Sequence, residues 1–122
     1  MDYLIGHLIG DFLLQNDWQA MNKKSLTLKG WLACTVHCLL YTLAVIVCTG
    51  WWKWYLIVLV FLSHFPIDKT YIVAKYMRWF GSFKRVLSDP AIDMNHKVWA
   101  YLFVDNTLHL TLLWLIAKFI VR

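Results

Sequence analysis

Between Lys29 and Lys53 the chain carries no Asp, Glu, Lys or Arg. No other feature restricts its fold as much. A helix needs about 20 apolar residues to cross the hydrocarbon core of a bilayer, and this stretch supplies them. Three further stretches have comparable length: residues 3–21, 51–69 and 98–121. The first is only moderately apolar, with His7, Asp11, Gln15, Asn16 and Asp17. Gly50 closes the second, as glycine often does after a helix. Residues 71–80 follow the third with Lys75 and Arg78 among aromatics, the pattern of a short interfacial helix. Residues 81–96 read as a polar loop in which Ser88-Asp89-Pro90 marks a turn or a helix start.

Composition agrees. The chain is 61% hydrophobic and 16% charged, whereas soluble domains are about half apolar and about one quarter charged. Its 8 Trp, 6 Tyr and 7 Phe suit anchoring at the lipid–water boundary. The expected fold is all-α: a single domain over residues 1–122, an integral membrane bundle of four transmembrane helices. Short loops make neighbouring helices antiparallel. The first segment is the weakest of the four, and half-insertion or shielding by a second copy in a homo-oligomer would suit it. Met1-Asp2-Tyr3 lacks the basic leader and cleavage site of a signal peptide, so the first segment is expected to stay in the mature protein.

The basic residues sort by loop. Lys23, Lys24, Lys29, Lys69, Lys75, Arg78, Lys84, Arg85 and Lys97 fall on one side; Lys53, Lys118 and Arg122 fall on the other. The positive-inside rule puts the larger group in the cytoplasm and both termini outside. The net charge of +5 then reflects topology and contact with anionic lipid headgroups. No Gly-rich phosphate loop and no basic nucleic-acid reader is present, so membrane lipids and not nucleic acid are the expected partners. Cys34, Cys38 and Cys48 share one apolar segment, which argues against a disulfide framework and for small packing residues.

Within the apolar stretches stand groups that are costly to keep from water. His7 and Asp11, His64 and Asp68, and Asp105 and His109 are each four residues apart, on one helix face. His37 lies in the second stretch. At 1.5 Å rise per residue, His37 and Asp105 lie about 12 Å from the basic ends of their helices, His109 about 18 Å and His64 about 7 Å. Asp11 and His7, on the first segment, lie about 15 and 21 Å from that side. Four helices thus offer imidazoles and carboxylates at overlapping depth, which predicts one shared site. Its candidate ligands are His7, Asp11, His37, His64, Asp68, Asp105 and His109. These suit one or two divalent metals, zinc first, with manganese or iron as alternatives. Coordination would offset the cost of burying the carboxylates. Asp11, Asp68 and Asp105 are the candidates for acid–base work on a metal-bound water.

Several neighbours have expected supporting roles. Gln15, Ser63, Asn106 and Thr107 are candidates for polar contacts around the ligands or between helices. Gly6 and Gly10 form a G-x-x-x-G that lets another helix approach. Pro66, between His64 and Asp68, frees the carbonyl of Leu62 and predicts a kink. His96 and Asp93 are expected in solvent, and Asp17 at the surface or as a cap.

The run His7-Leu8-Ile9-Gly10-Asp11-Phe12-Leu13-Leu14-Gln15, followed by Asn22-Lys23-Lys24, resembles the opening of the domain of unknown function 3307 family of small bacterial and phage membrane proteins. His37, His64-Phe65-Pro66-Ile67-Asp68 and Asp105-Asn106-Thr107-Leu108-His109 continue the resemblance over most of the chain. It implies a multi-pass protein of the bacterial inner membrane and leaves the activity open. The embedded His and Asp are similar, more loosely, to those of bacterial membrane-bound metal-dependent hydrolases. The leading expectation is a metal-dependent hydrolase of a lipid-borne ester or phosphoester. Alternatives are a small transporter or proton/ion pathway using the same residues as a relay, and a non-enzymatic phage or defence factor. Haem held by two histidines is a further option, made less attractive by the paired Asp.

Overall fold

The computed structural model describes residues 1–121, with the side chains of Gly81 and Ser82 left aside. Arg122, counted above with the smaller basic group, lies outside the described residues. Among the described residues the chain is helical and has no strand. The helices are α1 (Asp2–Leu8, continued by a π turn Ile9–Leu13), α2 (Asp17–Asn22), α3 (Leu28–Thr49), α4 (Trp54–Lys69), α5 (Ile72–Trp79), α6 (Gly81–Ser88) and α7 (Met94–Phe119).

Local chemistry sets the boundaries. The Thr27 hydroxyl accepts the Gly30 N–H at 3.2 Å and starts α3. Gly50, at φ +71°, ends it in the left-handed conformation glycine adopts without strain. Gly30 is required for a second reason: a Cβ there would collide with the Ser25 carbonyl.

The first segment departs from expectation. It is not one helix over residues 3–21. The helical run Asp2–Leu13 stops, and a capping box then opens α2: the Asn16 side chain accepts the Gln19 N–H at 2.9 Å, and the Gln19 side chain accepts the Asn16 N–H at 3.1 Å. The first run is thus about 18 Å long, short of a bilayer core. Residues 81–96 are also not all loop, because Gly81–Ser88 forms α6. Pro66 does not end α4, which runs on to Lys69; the 67° bend to α5 follows at the break after it.

α3 and α7 are long and apolar enough to cross a membrane, and α4 with the bent α5 is a third candidate. α1 packs on α3 and α7, α3 packs on α4, and α4 on α7, so these four helices close a ring. Gly6 and Gly10 make the first contact possible. A Cβ on Gly6 would lie 2.7 Å from Val45 Cα, and one on Gly10 2.6 Å from Tyr41 Cδ2. At one end Tyr3, Trp51 and Tyr55 pack on a core of Val45, Ile46, Leu56, Val60, Leu113 and Ile116. At the other, α5 meets α4 and α7 through Ile67, Val73, Met77 and Val104.

The distribution of side chains differs from that of a water-soluble domain. Leu39, Leu43 and Val47 of α3, Leu62 of α4 and Phe103 of α7 are more than half exposed, while His7, His37, His64, Asp68 and His109 are buried. Large apolar side chains thus cover much of the outside while a group of ionisable ones lies inside, a distribution that suits a lipid solvent. The polar groups fall between the two apolar cores: on α4 His64 lies between Val60 and Ile67, and on α7 His109 lies between Val104 and Leu113.

Candidate metal centre

Each helix of the ring contributes to one cluster. α1 and its π turn bring His7 and Asp11, α3 brings His37, α4 brings His64 and Asp68, and α7 brings Asp105 and His109. The π turn, closed by the Leu14 N–H on the Ile9 carbonyl at 3.0 Å, carries Asp11 itself. Such turns recur at functional sites because they re-aim one side chain without ending the helix.

Four donor atoms converge. Asp11 Oδ1 lies 3.3 Å from His37 Nε2 and 3.4 Å from His64 Nε2. Asp68 Oδ2 lies 2.8 Å from His37 Nε2 and 3.2 Å from His64 Nε2. The two Nε2 atoms are 3.2 Å apart. The other oxygen of Asp68, Oδ1, points to His109 Nε2 at 3.6 Å, which also lies 3.7 Å from Asp105 Oδ2.

His7 stands one layer out. The Asn106 amide nitrogen donates to the Leu102 carbonyl at 2.7 Å, which turns Asn106 Oδ1 toward His7 Nε2, 2.8 Å away. His7 Nε2 therefore carries the hydrogen, and in the neutral ring Nδ1 accepts the Tyr41 hydroxyl at 3.0 Å. With both nitrogens engaged, His7 holds Tyr41 in place; Asp11 Oδ2 lies 3.4 Å from Nδ1, which in this tautomer has no hydrogen to give it. Tyr41 stacks on His64 at 3.5 Å between centroids, and His64 on His109 at 4.0 Å. The Nδ1 atoms of His37 and His64 lack hydrogen-bond partners among the described residues. Packing, rather than an outer hydrogen bond, orients these two rings.

Lysines close the basic end. Lys23 donates to Asp68 Oδ2 at 2.9 Å and to Gln15 Oε1 at 2.7 Å. Burial alone would lower its pKa, but the Asp68 carboxylate outweighs burial and the net shift is upward. Lys24 donates to the carbonyls of Ile67, Asp68 and Thr70 at the end of α4, at 3.3, 3.0 and 2.9 Å. Burial dominates there and lowers its pKa. Lys69 returns the contact, donating to the Lys23 and Ser25 carbonyls.

The family model described as "Protein of unknown function (DUF3307)" matches residues 1–122. The chain belongs to the DUF3307 family. No curated protein and no solved structure matches it.

The donors of this DUF3307 chain fit a divalent cation. Zinc bonds of about 2.0–2.1 Å in a tetrahedron set donor atoms about 3.3–3.4 Å apart, and the contacts above run from 2.8 to 3.4 Å. Asp11 Oδ1, deeply buried, has no hydrogen-bond donor among the described residues, an arrangement a cation relieves. Asp11, His37 and His64 form one group able to hold a metal; Asp68, Asp105 and His109 form another.

A third such group, Cys38 with His64 and Asp68, contains a residue that sequence reasoning assigned to packing. The thiols of Cys34 and Cys38 are buried, 3.9 Å apart. Tyr41 and Lys23 were also not anticipated. Tyr41, four residues after His37 on α3, shared a helix face with it that was legible, whereas Lys23 enters from a loop with no periodic signal. Gln15 and Asn106 do make the expected supporting contacts. Ser63 and Thr107 instead bond carbonyls of their own helices. His96 and Asp93 are exposed, and Asp17 lies in the first turn of α2.

Proposed function

We propose that the chain is a multi-pass protein of the bacterial inner membrane and a metal-dependent hydrolase of a lipid-borne phosphoester. Its four ring helices lie in the bilayer as an up-down bundle, the first one short, with the lysine-rich end in the cytoplasm and both termini outside. Asp11, His37, His64 and Asp68 hold the cation, zinc in the first instance. The convergence of these four donors, from two helices and a π turn, carries the reading. A bound divalent metal lowers the pKa of water enough to supply hydroxide near neutral pH.

The chain's own groups do the rest. His7, anchored by Asn106, holds the Tyr41 hydroxyl and with it the ring that lies on His64. Tyr41 and His109 sandwich the His64 ring. Lys23, with its positive charge at Asp68, favours a phosphoester over a neutral ester, because an incoming phosphate meets a cation already in place. The outward apolar side chains suit contact with lipid, from which a lipid-borne substrate would approach the site.

The test is purification in detergent or nanodiscs, metal analysis by mass spectrometry, and release of headgroup or phosphate from phospholipid phosphoesters. Wild type should hold metal and turn over substrate. Asp11→Asn and His37→Ala should lose both while staying folded by circular dichroism. Full metal occupancy in both variants would refute the site. A metal-bound wild type inert toward every phosphoester, yet passing protons in liposomes, would favour the relay reading, for which the run of close contacts from His7 to Asp105 is the supporting observation.

A further inference from the structure

The four-donor site raises a difficulty for catalysis. If Asp68 joins Asp11, His37 and His64 on one cation, that cation has four protein ligands, and closed sites of that kind serve structure, whereas catalytic ones keep a position for water or substrate. The structure offers an open position one carboxylate away.

Asp68 is the hinge of the arrangement. Its Oδ2 faces His37 and His64, at 2.8 and 3.2 Å. Its Oδ1 faces His109 Nε2 at 3.6 Å. On that second side Asp105 Oδ2 stands 3.7 Å from the same nitrogen. His109 is 2% exposed, and its Nε2 has no hydrogen-bond partner among the described residues. A buried nitrogen aimed at two carboxylates without a proper hydrogen bond to either is what a ligand looks like when its cation is missing. The spacings are also wider than the 2.8–3.4 Å of the first group, and only three protein donors are present.

We propose a second divalent cation site formed by Asp68 Oδ1, Asp105 and His109, with Asp68 bridging it to the first. This rests on the metal reading above and deepens it. The first site, fully ligated by protein, anchors; the second, with three donors, is open to water and to one oxygen of the phosphoester. Paired cations about 3.5–4 Å apart clamp the attacking and leaving oxygens of an in-line displacement. In hydrolysis, water oxygen bonds to phosphorus, the bond from phosphorus to the ester oxygen breaks, the water proton passes to solvent or a carboxylate, and the leaving oxygen gains a proton. No oxidant or co-reactant is needed.

The experiment counts metal per chain and reads its coupling. Protein purified in nanodiscs is reconstituted with Mn(II) or Zn(II), freed of loose metal and analysed by mass spectrometry. The Mn(II) form is examined by electron paramagnetic resonance. Wild type should hold two equivalents, with the broadened signal of two spin-coupled ions. Asp105→Asn, which keeps size and shape, should hold one equivalent and give the six-line signal of an isolated Mn(II). Asp68→Asn should lose the coupling as well. One equivalent in wild type, unchanged in Asp105→Asn and lost in His37→Ala, overturns the second site and leaves the first. No bound metal in wild type overturns both. Two equivalents retained in Asp105→Asn and in His109→Ala overturn the assignment of the ligands.

Discussion

A single methyl group tests whether helix approach builds the site. Gly10 sits on Tyr41, and a Cβ there would stand 2.6 Å from Tyr41 Cδ2 and 3.0 Å from Tyr41 Cα. Carbon atoms prefer about 3.5–4.0 Å, so Gly10→Ala demands roughly 1 Å of retreat. Tyr41 has no free direction, since its ring lies on His64 at 3.5 Å and its hydroxyl holds His7 Nδ1 at 3.0 Å. The remaining outlet is withdrawal of α1. That carries Asp11, the next residue, away from His37 and His64, which it now meets at 3.3 and 3.4 Å. Overpacking of this size costs about 1–3 kcal/mol. Passed to the bound metal, it weakens affinity by about five- to more than a hundredfold. The assay is competition between solubilised protein and a chelating indicator, run beside a thermal melt. Gly50→Ala is the control, because nothing lies within 4 Å of a Cβ at Gly50 and its positive φ makes the cost local. Wild-type metal affinity and melting in Gly10→Ala would show that the approach of α1 does not set the Asp11 geometry.

Other outcomes follow from the same contacts. Asn106→Leu strands the His7 Nε2–H, buried without an acceptor, and should cost about 1–3 kcal/mol of stability, read by thermal melting, with a smaller loss of metal affinity than Asp11→Asn. Chelation should lower the melting temperature of wild type, since a ligand at 100 times its Kd stabilises by about 2.7 kcal/mol, and should leave Asp11→Asn unmoved. The two loop lysines should respond to alkali with opposite signs. Lys23 has a raised pKa, so its contribution is complete below the unfolded value of 10.5 and is lost as pH climbs past its folded value. Lys24 has a lowered pKa, so stability should rise as pH passes from its folded value toward 10.5. Melting curves of Lys23→Met and Lys24→Met against pH, each compared with wild type, check both slopes.

What the sequence disclosed followed from local periodicity. α3 was legible because no charge interrupts it and Gly50 ends it. The i, i+4 pairs of His and Asp were legible because a helix puts them on one face. Asp11 and His37, by contrast, meet only because Gly6 and Gly10 let α1 lie on α3, and because a π turn re-aims Asp11. The break after Leu13 carried a readable signal, Asn16 and Gln19 in capping-box spacing, masked by the apolar residues around it. α6 was hidden by its glycine start and the Ser88-Asp89-Pro90 turn beyond it. Depth along a helix did not show that His7 stands behind Asp11. That order comes from Asn106 and Tyr41, partners on two other helices.

Charge ties the proposed centre to the phosphoester proposed for it. Asp11, Asp68 and Asp105 bring three negative charges into a region sealed by apolar side chains, and Lys23 returns one positive charge. With neutral imidazoles two negative charges remain, and an uncompensated buried pair of this kind is strongly unfavourable. One divalent cation brings the balance to zero. A second leaves two positive charges, which a phosphoester and a hydroxide can neutralise. The second cation and the anion should therefore bind with positive coupling, and the coupling must be reciprocal. Inorganic phosphate should tighten the second Mn(II) equivalent in a metal titration, and Mn(II) should tighten phosphate by the same factor. The first equivalent should change little. Phosphate that leaves both equivalents unmoved would mean that the surplus charge is met by protons or by Asp105 turning away, and the paired-cation account of the substrate would fall.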